Sequence, residues 1–145
     1  FIFFGLVAVC GTYYVQALRL TPMVWLMGAI VGLLITAILV VNNLRDIESD
    51  RKTGKRTLAV IIGIRGSTIE YVFLLGGAYI IPIILWLSDR MSAWVLLPLI
   101  SVPMAVSLMR LIWKNPDGPI LNQALAKTAK LALVYSLLLA IGLIL

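Results

Sequence analysis

Histidine is absent from the 145 residues, and cysteine occurs once, at Cys10. The first absence removes the commonest metal ligand and the side chain that trades protons most readily near pH 7. Any catalysis must then rest on carboxylates, Lys, Arg, Tyr or Asn. The second absence rules out an internal disulfide, and one cysteine inside an apolar run behaves as a small hydrophobe. Charge is scarce as well: 12% of the residues are charged and 62% are hydrophobic, which is about half the charge of an ordinary soluble domain. The mean hydropathy is +1.08. The start of the chain also lacks a basic segment and a small-residue cleavage site, so its first apolar run does not read as a signal peptide.

What the sequence has instead is long apolar blocks without a period of 3.6. Five are visible: Phe1 to Leu18, Met23 to Val41, Tyr71 to Leu87, Ala93 to Met109 and Leu131 to Leu145. Each approaches the ~20 residues that a helix needs to cross a bilayer core. Open sheet edges cannot face lipid, so these runs predict helices and an all-α, polytopic transmembrane bundle of about five spans. Gly28 and Gly32 form a GxxxG pair suited to close helix packing, and Gly76 and Gly77 suggest the same in the third block. Pro82, Pro98 and Pro103 lie inside blocks and predict kinks. The chain begins at Phe1 and stops at Leu145, inside apolar runs at both ends, which reads as a fragment lacking an N-terminal part. Residues 1–145 are expected to form part of one domain.

The basic residues are sorted by loop. Arg45, Arg51, Lys52, Lys55, Arg56 and Arg65 follow the second block, and Arg110, Lys114, Lys127 and Lys130 follow the fourth. Arg19 and Arg90 alone fall in the other two connections. Cytoplasmic loops carry the excess of Lys and Arg, so the Asn42–Glu70 loop is predicted to be cytoplasmic. The net charge of +6 then reflects topology and contact with anionic lipid rather than nucleic-acid binding.

One polar stretch stands apart. Between Asn42 and Leu58 lie three of the six acids (Asp46, Glu48 and Asp50) and five of the twelve basic residues. If the second helix continues past Val41, Asn42, Asp46 and Asp50 share one face at i, i+4 and i+8. Two carboxylates a turn apart with an amide oxygen behind them form a hard-oxygen cluster suited to Mg²⁺, which keeps waters and substrate phosphates in its shell. The cations beside them, Arg45, Arg51, Lys52, Lys55 and Arg56, suit the remaining oxygens of a diphosphate. Gly54 provides the turn that would aim Lys55 and Arg56 back at the site. The plainer reading is a basic juxtamembrane loop in which acids pair with neighbouring arginines. Arg45, about 100° around the helix from Asp46, is the candidate for such a pair.

The run Asn42-Asn43-Leu44-Arg45-Asp46-x-x-x-Asp50-Arg51-x-x-Gly54-Lys55-Arg56-Thr57-Leu58-Ala59-Val60 resembles the second aspartate-rich motif of the UbiA superfamily of intramembrane prenyltransferases. The resemblance is greatest to the 1,4-dihydroxy-2-naphthoate prenyltransferase branch of menaquinone and phylloquinone biosynthesis. Gly11-Thr12-Tyr13-Tyr14-Val15-Gln16 and Leu125-Ala126-Lys127-Thr128-Ala129 extend the likeness along the chain. It implies the C-terminal part of a nine-helix fold in a cell inner membrane or plastid-type membrane, with a first aspartate-rich motif upstream of Phe1. It also implies Mg²⁺ on a prenyl diphosphate and transfer of the isoprenyl group to 1,4-dihydroxy-2-naphthoate with loss of its carboxylate. On that reading Asp46 and Asp50 are catalytic and hold the metal with Asn42, while Arg45, Arg51, Lys55 and Arg56 bind diphosphate. One departure is Ile61, where the branch commonly carries Arg. The alternatives are a related enzyme using another acceptor such as homogentisate, 4-hydroxybenzoate or haem, a transporter with the Asp pair as an ion site, and a non-catalytic membrane subunit.

Overall fold

The computed structural model describes residues 1–114 and 118–145. Regular structure among them is entirely helical: α1 (Ile2–Ala17), α2 (Pro22–Arg45), α3 (Ile47–Lys52), α4 (Leu58–Leu87), α5 (Ala93–Lys114) and α6 (Gly118–Ile144). By length and composition α2, α4, α5 and α6 can each cross a membrane, while α1 is apolar but shorter. The five expected apolar elements are therefore present, joined by one short polar helix, α3.

Two expected boundaries move. The third block begins at Leu58 rather than Tyr71, so Arg65 and Glu70 belong to α4 and not to a loop. The last begins at Gly118 rather than Leu131, which places Lys127 and Lys130 on α6. Hydropathy finds only the part of a helix that lies in lipid. α4 is broken at Gly63, and the part from Ile64 to Leu87 is about 36 Å long at 1.5 Å per residue, against a hydrocarbon core of about 30 Å, so its polar start projects beyond that core.

The helix ends follow local chemistry. Thr21 caps α2 by accepting from the Val24 N–H at 3.4 Å, with Pro22 at the first helical position. Thr57 caps α4 through Val60 in the same way, as hydroxyl residues commonly do. α4 is interrupted at Gly63, whose φ of 72° and ψ of −179° are open to glycine and strained for other residues. α1 starts with a π-helical segment, Ile2–Val7. α5 starts as a 3₁₀ helix, Ala93–Ser101, with Pro98 inside it.

α2 is the centre of the bundle and packs against α1, α4 and α6. It buries Ile30, Leu34, Ala37, Val41 and Leu44, a stripe at helical spacing. The GxxxG pair does what its spacing predicts: a Cβ on Gly5 of α1 would stand 2.5 Å from the Gly32 Cα and 2.7 Å from the Gly28 carbonyl, so backbones meet there. Gly77 faces Leu33, whereas Gly76 has nothing within 4 Å. Hydroxyls join the other helices. Tyr71 donates to Thr128 Oγ1 at 2.9 Å, because the Thr128 proton is committed to the Ala124 carbonyl. Tyr79 donates likewise to Ser101 Oγ at 2.6 Å. Pro82 cannot donate to the Ala78 carbonyl one turn back, and Tyr135 Oη of α6 donates to that carbonyl instead.

Candidate active site

At the end of α2 the backbone bends at Asp46, to φ −93° and ψ 5°. The bend does not unwind the chain. Asp46 N–H still donates to the Asn42 carbonyl at 3.1 Å, and Asp50 N–H to that of Asp46 at 2.9 Å. α3 closes with the paired backbone hydrogen bonds of a Schellman turn: Lys55 N–H to the Asp50 carbonyl at 2.9 Å and Gly54 N–H to that of Arg51 at 3.3 Å. That turn requires positive φ after the helix, which Gly54 supplies at 74°.

Arg45 organises the first half of the site. Its Nε and Nη2 donate to the two carboxylate oxygens of Asp46, both at 2.8 Å, in a fork-to-fork pair. Nη2 also donates to Asn42 Oδ1 at 3.0 Å, and Nη1 to Asn122 Oδ1 of α6 at 3.3 Å. One guanidinium thus gathers Asn42, Asp46 and Asn122. The second half is held by Lys55, whose Nζ lies 3.3 Å from Asp50 Oδ1. Asp50 is 6% exposed. Hydrogen bonds from Arg45 hold the Asp46 carboxyl below the usual carboxylate range, against its partial burial; the charges of Arg45 and Lys55 add to that pull. Lys55 therefore acts on both carboxylates.

Of the residues singled out by sequence, Asn42, Asp46 and Arg45 come together, and Asp50 with Lys55 forms a second pair beside them. Arg51 pairs instead with Glu48 at 3.2 Å, both largely exposed. Arg56 is exposed and makes no ion pair among the described residues. Asn122 was not anticipated. It lies 77 residues from Arg45, and by sequence it falls in the connection before the last apolar block, where nothing singles it out.

The site opens onto apolar space. A cavity of about 350 Å³ between α1, α2 and α6 is lined by Phe1, Phe4, Ile35, Ile38 and Leu125, with Asn42 at its edge. The donor set suits a hard cation. Asp46, Asp50, Asn42 and Asn122 offer only oxygens, and Mg²⁺ is held by one or two protein carboxylates completed by water and phosphate. No group of three His, Cys, Asp or Glu side chains converges among the described residues, so a metal here would draw the rest of its shell from outside the chain. The cluster thus sets carboxylates paired with Arg45 and Lys55 beside an apolar cavity.

The profile of the UbiA prenyltransferase family matches residues 1–134. The chain belongs to that family. UbiA membership and the four long apolar helices make it an integral membrane protein. Among similar proteins, the 1,4-dihydroxy-2-naphthoate octaprenyltransferase of Escherichia coli is 37% identical over 99% of this chain and 47% of its own length. The protein of that name from Mycobacterium leprae is 35% identical over 97% of the chain and 47% of its length. UbiA prenyltransferase domain-containing protein 1 of Rattus norvegicus is 40% identical over 98% of the chain and 40% of its length. The chain thus spans about half the length of these UbiA relatives.

Proposed function

We propose that this chain carries one diphosphate-binding half of a Mg²⁺-dependent enzyme that transfers an isoprenyl group from a prenyl diphosphate to 1,4-dihydroxy-2-naphthoate, with loss of the acceptor's carboxylate. The observation that carries the reading is the Arg45-centred cluster of Asn42, Asp46 and Asn122 at the edge of an apolar cavity. It offers charge for a diphosphate head and a greasy groove for a prenyl tail in one place. The names of the bacterial relatives support the acceptor.

Asp46, Asp50 and Asn42 would hold the magnesium ion, which supplies countercharge to the diphosphate. Arg45 and Lys55 already lie against the carboxylates; on binding they turn to phosphate oxygens, and Arg51 and Arg56 close from the exposed side. Cations fixed where negative charge grows as diphosphate departs stabilise that departure. Phe1, Phe4, Ile35, Ile38 and Leu125 keep water from the allylic cation. The loop carrying these residues faces the cytoplasm, in keeping with the ten-to-two division of basic residues.

The test is an assay of the full-length protein in membranes, with naphthoate and a series of prenyl diphosphates, with and without Mg²⁺. Prenylation that needs Mg²⁺ and stops on chelation is the expected outcome. Transfer only to homogentisate, 4-hydroxybenzoate or haem would replace the acceptor, and no transfer to any of them would overturn the reading.

A further inference from the structure

A cavity of about 590 Å³ lies between the start of α4 and the end of α5, and its walls are Ile64, Arg65, Thr68 and Ile69 of α4 with Ile112 and Trp113 of α5. It shares no described lining residue with the cavity beside Asn42. Arg65 is its one charge among the described walls, and Arg65 makes no ion pair among the described residues. The acids near this end of the bundle are engaged elsewhere. Asp46 pairs with Arg45, Glu48 with Arg51 and Asp50 with Lys55. Glu70 stands about 140° around α4 from Arg65 and lines a separate pocket against α2. Thr68 spends its proton on the Ile64 carbonyl at 2.9 Å, which leaves the Arg65 guanidinium and the Trp113 indole N–H as the cavity's donors. Donors with no acid to answer them suit an anion.

The face of α4 that continues from Arg65 is apolar. Arg65, Ile69, Phe73 and Ile80 fall within about 80° of one another around the helix, and the three apolar members are exposed. Phe73 stands about 12 Å along the helix from Arg65 at 1.5 Å per residue, within one leaflet of a hydrocarbon core about 30 Å thick. Arginine and tryptophan, which both anchor helices at the membrane interface, meet at the head of this stripe. Arg110, one turn before Trp113, and Lys114 beside it are exposed and bring further positive charge to the same end of α5. A cationic, donor-only head above an apolar stripe one leaflet deep is complementary to an amphiphile of the opposite charge.

We propose that the groove between α4 and α5 binds an anionic phospholipid. Its phosphate rests against Arg65, the Trp113 indole lies beside the headgroup, and an acyl chain runs over Ile69 and Phe73. Charge decides the class of lipid. A zwitterionic headgroup would bring a quaternary ammonium to a place where Arg65, Arg110 and Lys114 gather with no described acid between them. An anionic headgroup brings only phosphate and hydroxyl oxygens, which a guanidinium binds through its forked donors. Basic pockets between membrane helices select anionic headgroups for the same reason. A prenyl diphosphate is also an amphiphilic anion, but the described walls hold no carboxylate to share a metal with it. The lipid site is separate from the aspartate cluster and stands whatever reaction that cluster serves.

The experiment uses tryptophan fluorescence of the full-length protein in phosphatidylcholine vesicles. The vesicles contain an equal, low mole fraction of either phosphatidylglycerol or phosphatidylcholine with dibrominated acyl chains, which quench a tryptophan they touch. Subtracting the W113F signal isolates the quenching that belongs to Trp113. Brominated phosphatidylglycerol should quench Trp113 several-fold more than brominated phosphatidylcholine. R65Q should bring the two lipids level, R65K should keep part of the preference, and R90Q, in the connection at the opposite end of α4, should keep all of it. Equal quenching by the two lipids in the wild type, or a preference that survives R65Q, would overturn the proposal. So would a Trp113 that neither lipid quenches, since protein would then cover the groove. A preference abolished by added farnesyl diphosphate would also overturn it and give the groove to that substrate.

Discussion

Arg45 touches three oxygen-bearing side chains from two helices, and only a planar, multidonor cation can do so. Arg45→Lys keeps the charge but loses the fork, so prenyl-transfer turnover should fall about tenfold or more. Asp46→Asn and Asp50→Asn, which keep shape and remove charge, should each lower turnover by roughly 100-fold or more, because a hard cation needs the carboxylate. Glu48→Ala should stay within about twofold, since the Glu48–Arg51 pair is exposed and such pairs contribute little. Initial rates against Mg²⁺ concentration, with expression checked by blot, decide all four; an effect of Glu48 equal to that of the aspartates would break the assignment. At this scale the sequence displayed the local members of the cluster. Spacing of four along one helix is visible in a string of letters, and so was the possibility that Arg45 would pair with Asp46. Asn122 was hidden because no local rule joins residues on α2 and α6. Ser67 Oγ, buried and without a partner among the described residues, was hidden because its bonding depends on the dihedral angles of Gly63.

At the scale of helices, Gly28, Gly32 and Gly77 pack as their positions suggested, whereas Gly76 meets nothing within 4 Å, and the break in α4 falls at Gly63 rather than at Pro82. Gly32→Val must push against Phe1 and the Gly5 backbone, at 2.9 and 3.2 Å from an added Cβ, and should cost about 1–3 kcal/mol. Gly76→Ala meets nothing within 4 Å and should be neutral or stabilising by up to about 1 kcal/mol through helix propensity. Thermal unfolding in detergent compares the two. Tyr135→Phe should cost about 1–3 kcal/mol by stranding the Ala78 carbonyl. In a Pro82→Ala background, the restored N–H can take that carbonyl, and the cost of the tyrosine change should shrink. Equal costs in both backgrounds would show that the hydroxyl serves something else. Helix boundaries were the least legible feature, since Arg65, Glu70, Lys127 and Lys130 look like loop residues until helices longer than the lipid core are allowed for.

For the molecule as a whole, cysteines placed at Thr53 and Ser88 should label from opposite faces of the membrane, Thr53 only after permeabilisation; the native Cys10 is buried and should stay silent. Labelling of Thr53→Cys in intact cells would invert the topology. The bundle itself was written in the apolar runs, because lipid leaves a chain few choices beyond helices. Their arrangement around α2 was not, since apolar faces alone do not name their neighbours. The proton that Tyr135 gives to Ala78 also sets a timetable. The two residues are 57 apart in sequence, a span that takes about 3–11 s to synthesise at ~5–20 residues per second. During that interval α4 waits in the translocation machinery or the bilayer with one carbonyl unpaired. Biogenesis of this protein thus passes through a species whose fourth helix is incomplete, and only the arrival of α6 releases it from dependence on water, lipid head groups or an insertase.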